Sequence, residues 1–187
     1  MGLPSSLDPL GSANQSPYKK GEVLVTVDNP QDLVVKEIDM LAKGVLKLWL
    51  VSGGNGYRWC YIGCNYAGSG AGFIGSLYFN QKCHLKLTVG AQLQDSILQA
   101  APWGNKSTWT DLVKATSSKD NWSGDPRSSL GTISVNRNST FNNYFDIELE
   151  AKGNGGSQSD YGASVYSGYG SGGKNGYGKL QYIRSRQ

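Results

Sequence analysis

Apolar and polar positions in this chain alternate over short runs bounded by turn residues. Val23, Val25 and Val27 recur at every second position before the Asp28-Asn29-Pro30 turn, the period of a strand with one face buried. Residues 33–38, LVVKEI, read as a second strand, and Lys43-Gly44 turns the chain into a third over 45–51, VLKLWLV. That run is apolar at nearly every position, which predicts a central strand. Residues 73–79 and 83–89 predict two strands around a Gln81-Lys82 turn, with Gly90 stopping the second. Residues 133–135, the alternating run 144–150 and residues 180–183 predict the last three. Residues 93–101 or 108–115 are expected to form at most a short helix inside a loop insertion over about 91–130. No segment of ordinary helix length shows a 3.6-residue period with caps, so the expected class is all-β.

Glycine changes this picture. Most of the 26 glycines fall in two runs, one from Gly53 to Gly75 and one from Gly153 to Gly178. Each run is bracketed by apolar strands, so a strand, glycine-rich run and strand recur over 45–79 and 144–183. A linker or tail would not be sealed by a strand such as Leu180-Gln181-Tyr182-Ile183. Only 17% of residues are charged while 11% are aromatic, the reverse of a solvated disordered chain. Glycine allows close backbone approach and positive φ, and its ordering entropy must be offset by contacts. The glycine-rich runs are therefore expected to be excursions within one fold.

At these residues the chain resembles a known family. Lys43-Gly44-Val45-Leu46-Lys47-Leu48-Trp49-Leu50-Val51-Ser52-Gly53-Gly54 is similar to the opening of the glycine-rich domains of bacteriophage tail-fibre and tail-tip adhesins. Residues 70–77, GAGFIGSL, and 85–91, LKLTVGA, resemble the family's next strands, and residues 153–183 its glycine- and tyrosine-rich close. The likeness covers about 40–91 and 145–183; residues 91–142 match nothing in the pattern. It implies a β-sandwich-like domain with polyglycine-II-like or irregular glycine-rich excursions, and binding to host surfaces.

Residues 1–20 hold Pro4, Pro9 and Pro17 among Ser, Gly and Asn and read as an extended N-terminal arm. Residues 21–187 then form a single glycine-rich β domain. The arm is expected to be ordered by contact with another chain. No apolar h-region follows the early charges, so no signal peptide is read, and no apolar run is long enough for membrane insertion. The net charge of +4 collects late, from Lys152 onward, without the dense basic run that nucleic-acid binding calls for.

Candidate chemistry is sparse. His84 is the only histidine, set inside a predicted strand, so neither a histidine-rich metal site nor a Ser-His-Asp triad is expected. Cys60, Cys64 and Cys83 have loose spacing for zinc; they read as core-filling thiols, with a Cys60–Cys64 disulfide left open. Gly68-Ser69-Gly70-Ala71-Gly72 lacks the lysine of a phosphate-binding loop. Asp146, Glu148 and Glu150 sit at alternate positions, as a strand's solvent face does. No catalytic residue, cofactor or metal is expected. The candidates for ligand or partner contact are the aromatics: Trp103, Trp109 and Trp122 in the insertion, and Tyr161, Tyr166 and Tyr169 in the second glycine-rich run. The tryptophans suit sugar stacking, or else they form a small core under a loop.

Together with the resemblance, these residues lead to an expectation of a non-enzymatic virion surface protein, made in the host cytoplasm. It would be a phage tail or fibre component that docks other virion proteins through its arm, forms a homo-oligomer and meets a host cell-surface glycan or protein. The alternatives are a purely architectural virion protein, such as a capsid decoration or tail-associated protein, and a cellular extracellular adhesion module.

Overall fold

A computed structural model of the chain describes residues 16–54, 58–60, 63–65, 70–117, 131–137, 144–154 and 175–185. Twelve strands form in chain order: β1 (Val23–Asp28), β2 (Val34–Met40), β3 (Gly44–Val51), β4 (Arg58–Cys60), β5 (Gly63–Asn65), β6 (Ala71–Phe79), β7 (Cys83–Val89), β8 (Ser96–Pro102), β9 (Thr110–Ala115), β10 (Ile133–Val135), β11 (Phe145–Asn154) and β12 (Tyr177–Arg184). One antiparallel sheet has the order β1-β12-β3-β6-β11 and the other β10-β9-β8-β7-β2, while β4 and β5 make a separate hairpin. The fold is an all-β sandwich, as the alternation predicts, and β3 is the middle strand of its sheet.

Alternation decides which side chains lie between the sheets. Leu46, Leu48 and Leu50 of β3 join Phe73, Leu77 and Phe79 of β6 and Leu180 and Tyr182 of β12 in one buried cluster. From the other sheet come Leu85, Leu87 and Val89 of β7, Leu98 and Ala100 of β8, and Leu112 and Val113 of β9. The sheets pack tightly at Gly178, where a Cβ would stand 2.4 Å from Val89 Cγ2. A larger residue would push the sheets apart.

The last strand is not a tail. β12 lies between β1 and β3, with Tyr177 opposite Val51 and Leu180 opposite Leu48. The two strands that follow the glycine-rich runs, β6 and β12, both pair with β3. What lies between the strands in the second run, residues 155–174, falls outside the described residues, so the polyglycine-II-like expectation does too.

The expected short helices over 93–101 or 108–115 are replaced by β8 and β9, which pair with β7 and with each other. The period-2 signal is hidden by a bulge between Leu98 and Gln99, opposite residues 111–113. It buries the consecutive Leu112 and Val113 and breaks the alternation. A second bulge, between Ile147 and Leu149 of β11, pairs Asp146 with Tyr78 and Glu150 with Gly75. The side chains of Glu148 and Glu150 lie outside what is described, and so does the expected one-sided run of carboxylates.

Candidate binding pole

The registers put four strand ends side by side. Val51 ends β3, Ala71 begins β6, Asn154 ends β11 and Tyr177 begins β12. They share one rim, because Val51 pairs with Gly72 and Tyr177, and Ala71 with Asn154. The same rim of the other sheet holds the β7–β8 turn after Val89, the end of β9 at Ala115 and the start of β10 at Ile133, since Ser96 pairs with Ala115 and Ala115 with Ile133. The segments 55–69, 118–130 and 155–174 therefore all depart from and return to one end of the sandwich.

That end is stitched by backbone contacts. Ser52, buried just past β3, donates from Oγ to the Thr116 carbonyl of the opposite sheet (2.6 Å) and accepts from the Ala71 N–H (2.9 Å). Ser96, buried at the start of β8, reciprocates: its Oγ donates to the Val51 carbonyl (2.9 Å) and accepts from the Gly90 N–H (3.0 Å). Gly53 N–H donates to the Gln94 carbonyl (3.1 Å), and Gly176 N–H to the Gly90 carbonyl (2.9 Å). Each satisfies a polar group that burial would otherwise leave costly.

Glycine is required where these backbones meet. A Cβ on Gly53 would lie 1.9 Å from the Ala91 carbonyl oxygen, and one on Gly131 2.0 Å from that of Thr116. Asp95 reinforces the rim by pairing with Lys114 (2.9 Å) and accepting from the Ser117 N–H (2.8 Å). Burial alone would raise the Asp95 carboxyl, but its bonds from Lys114 and Ser117 outweigh this and hold it below the ordinary carboxylate value.

The opposite end carries both termini of the described domain. Tyr18 lays its ring 5.2 Å from that of Tyr182, its hydroxyl donates to the Asp39 carbonyl and it accepts from the Leu41 N–H (2.9 Å). Residues 16–20 thus rest on the sandwich, whereas residues 1–15, most of the expected arm, lie outside the described residues. Gly44 makes room for the Tyr182 ring, whose Cε2 would be 2.7 Å from a Cβ there. The Tyr182 hydroxyl is buried without a hydrogen-bond partner among the described residues.

Of the predicted contact residues, Trp103 and Trp109 are described; Trp122, Tyr161, Tyr166 and Tyr169 are not. Trp103 is 45% exposed and stacks on His84 (4.7 Å between centroids, 18° between planes). Trp109 is half-buried with Lys86 Nζ 4.3 Å from its ring centre. Neither belongs to the central hydrophobic cluster. The β8–β9 loop lies instead against the outer face of β7, tied to β2 by Lys106 and Glu37 (2.7 Å).

His84 is more than the ordinary strand residue its sequence suggests. Nδ1 meets Asp39 Oδ1 at 2.7 Å and Nε2 accepts from the Gly104 N–H at 3.1 Å. In the tautomer whose Nε2 accepts, Nδ1 carries the proton and donates to Asp39. Both ring nitrogens of His84 are thus engaged in hydrogen bonds within the protein. No group of three metal-ligating side chains occurs among the described residues. Cys83 is buried; desolvation, with the Asp39 charge adding, pushes its thiol up to about 12. Cys60 and Cys64 lie on β4 and β5, with Trp59 rather than Cys60 opposite Cys64.

Sequence reasoning missed Ser52, Ser96, Asp95 and the His84–Asp39 pair, whose partners lie on other strands. The local signal that could have exposed one of them is Pro102-Trp103-Gly104-Asn105, a tight-turn sequence. No family model, curated protein or solved structure matches this chain.

Proposed function

We propose that this chain is a non-catalytic surface protein of a virus particle, a bacteriophage tail or fibre component, which meets the host through the segments leaving the glycine-rich pole. The observation that carries this reading is the polarity of the sandwich. Both termini of the described domain lie at one end, with Tyr18 seated beside Asp39 and Tyr182. The chain departs for residues 55–69, 118–130 and 155–174 at the other. Attachment through the terminal end leaves the rim from which those segments depart facing outward. A hydrogen-bonded frame beneath recognition loops reduces the ordering cost of binding. The sequence resemblance to phage glycine-rich adhesins agrees with the same use. The arm docks other virion proteins and the domain assembles with copies of itself.

The test is competition. Purified protein should block adsorption of the source particle to its host cells, and replacement of residues 155–174 by a short Gly-Ser linker should abolish the block while leaving thermal unfolding unchanged. Antibody labelling of the particle should mark the tail. Labelling over the capsid shell with no competition would establish the architectural alternative, and absence from particles would favour a cellular adhesion module.

A further inference from the structure

The Trp103 turn lies at the end of β8, away from the glycine-rich pole. Pro102 to Asn105 forms a tight turn in which Asn105 N–H donates to the Pro102 carbonyl (3.0 Å), with Gly104 at φ +79°. Nothing lies within 4 Å of a Cβ position on Gly104, so it is the left-handed backbone that calls for glycine there. Asn105 Oδ1 then accepts from Ser107 N–H (2.9 Å) and Ser107 Oγ (2.6 Å), which stiffens the next residues. One face of the indole is backed by the His84 ring, itself held by Asp39 and by the Gly104 N–H of the same turn. A large aromatic ring is thus held rigid while 45% exposed.

The charges around it are unevenly matched. Glu37 pairs with Lys106, and Asp39 faces His84. Lys82 Nζ stands over the Trp103 ring, 5.8 Å from its centre, and no carboxylate among the described residues pairs with it. An exposed indole with an ammonium over its ring, and no carboxylate partner for that ammonium among the described residues, suits a ring with an apolar C–H face and a negative substituent.

We propose that Trp103 is the stacking platform of a carbohydrate site on the outer face of the second sheet, taking a pyranose that bears a carboxylate, with Lys82 as its countercharge. The indole covers the C–H face of the sugar, Lys82 binds the carboxylate, and His84 is a positioning residue that fixes the ring from behind. The site is independent of the segments at the glycine-rich pole.

The experiment is titration of the full-length protein with oligomers of glucuronate, galacturonate and mannuronate, and with their neutral counterparts. The readout is the Trp103 indole N–H resonance, assigned by its loss in Trp103→Phe. At least one uronate oligomer should shift that resonance at about 10 mM or below, and Trp103→Ala should abolish binding. Lys82→Gln should weaken uronate binding roughly two- to fivefold, as expected for a partly exposed ion pair, and leave binding of the neutral sugar unchanged. No shift with any uronate, or equal affinity for acidic and neutral oligomers, overturns the proposal. The wild-type titration needs no variant to fold, and deleting residues 155–174 should leave it unaltered even where host adsorption is lost.

Discussion

Gly176→Ala is the sharpest test of the frame at the glycine-rich pole. Gly176 is buried immediately before β12, between the ends of the two sheets. A Cβ there would lie 2.5 Å from the Val51 carbonyl oxygen, 2.7 Å from that of Gly90 and 3.0 Å from Ser96 Oγ. The first two are backbone atoms, which cannot rotate away as a flexible side chain would. Gly176 does not have positive φ, so alanine carries no penalty for backbone conformation and the effect is one of space alone. Relief requires moving the start of β12 away from β7 and β3. That lengthens the Gly176–Gly90 hydrogen bond (2.9 Å) and strains the Ser96–Val51 bond (2.9 Å). Overpacking of this kind costs about 1–3 kcal/mol, and a weakened hydrogen bond about 0.5–1.5 kcal/mol. Together they predict a loss of roughly 2–4 kcal/mol, a large share of a typical margin of about 5–15 kcal/mol. For a chain of this size the midpoint of thermal unfolding should fall by roughly 5–15 °C, measured by circular dichroism with urea denaturation as a check. A variant within about 0.5 kcal/mol of the parent, the scatter of ordinary surface changes, would refute the idea that backbone contact clamps the sheets at this point.

Three further outcomes are expected. Tyr182→Phe removes a buried hydroxyl that has no partner among the described residues, so the variant should be as stable as the parent or more stable by about 1–3 kcal/mol; a clear loss in urea denaturation would show that the hydroxyl is satisfied. Cys83, buried with its thiol raised to about 12, should resist iodoacetamide at pH 8 in the native protein and react once urea unfolds it, as followed by mass spectrometry of the Cys83 peptide. Because the folded-state value of Asp95 is depressed, its contribution is fully present above the ordinary aspartate value of about 3.9 and is lost as pH falls through the lower folded value. The stability gap between the parent and Asp95→Asn should therefore close below about pH 4, and a gap that stays constant to lower pH would contradict the Lys114 and Ser117 contacts.

The strands were legible because one-face burial writes itself into alternate positions. The run 45–51 is apolar at every position but Lys47 and is the middle strand, covered within by the core and flanked by β12 and β6. Residues 180–183 carry apolar groups on both faces, and β12 is accordingly an interior strand rather than a fraying end. β8 and β9 were not legible, because a bulge cancels the alternation that periodicity depends on. Glycine content announced close backbone approach but not where it occurs; that depends on which carbonyl a distant turn presents, as Ala91 does to Gly53 and Thr116 to Gly131. Ser52, Ser96 and His84 look ordinary beside their chain neighbours and take their roles from partners on the opposite sheet or the adjacent strand. A sequence records the periodicity and conformational freedom of each short segment directly. Register and sheet packing bring residues far apart in the chain within hydrogen-bond reach, so only the tertiary structure could decide that the glycine-rich excursions share one pole and the termini the other.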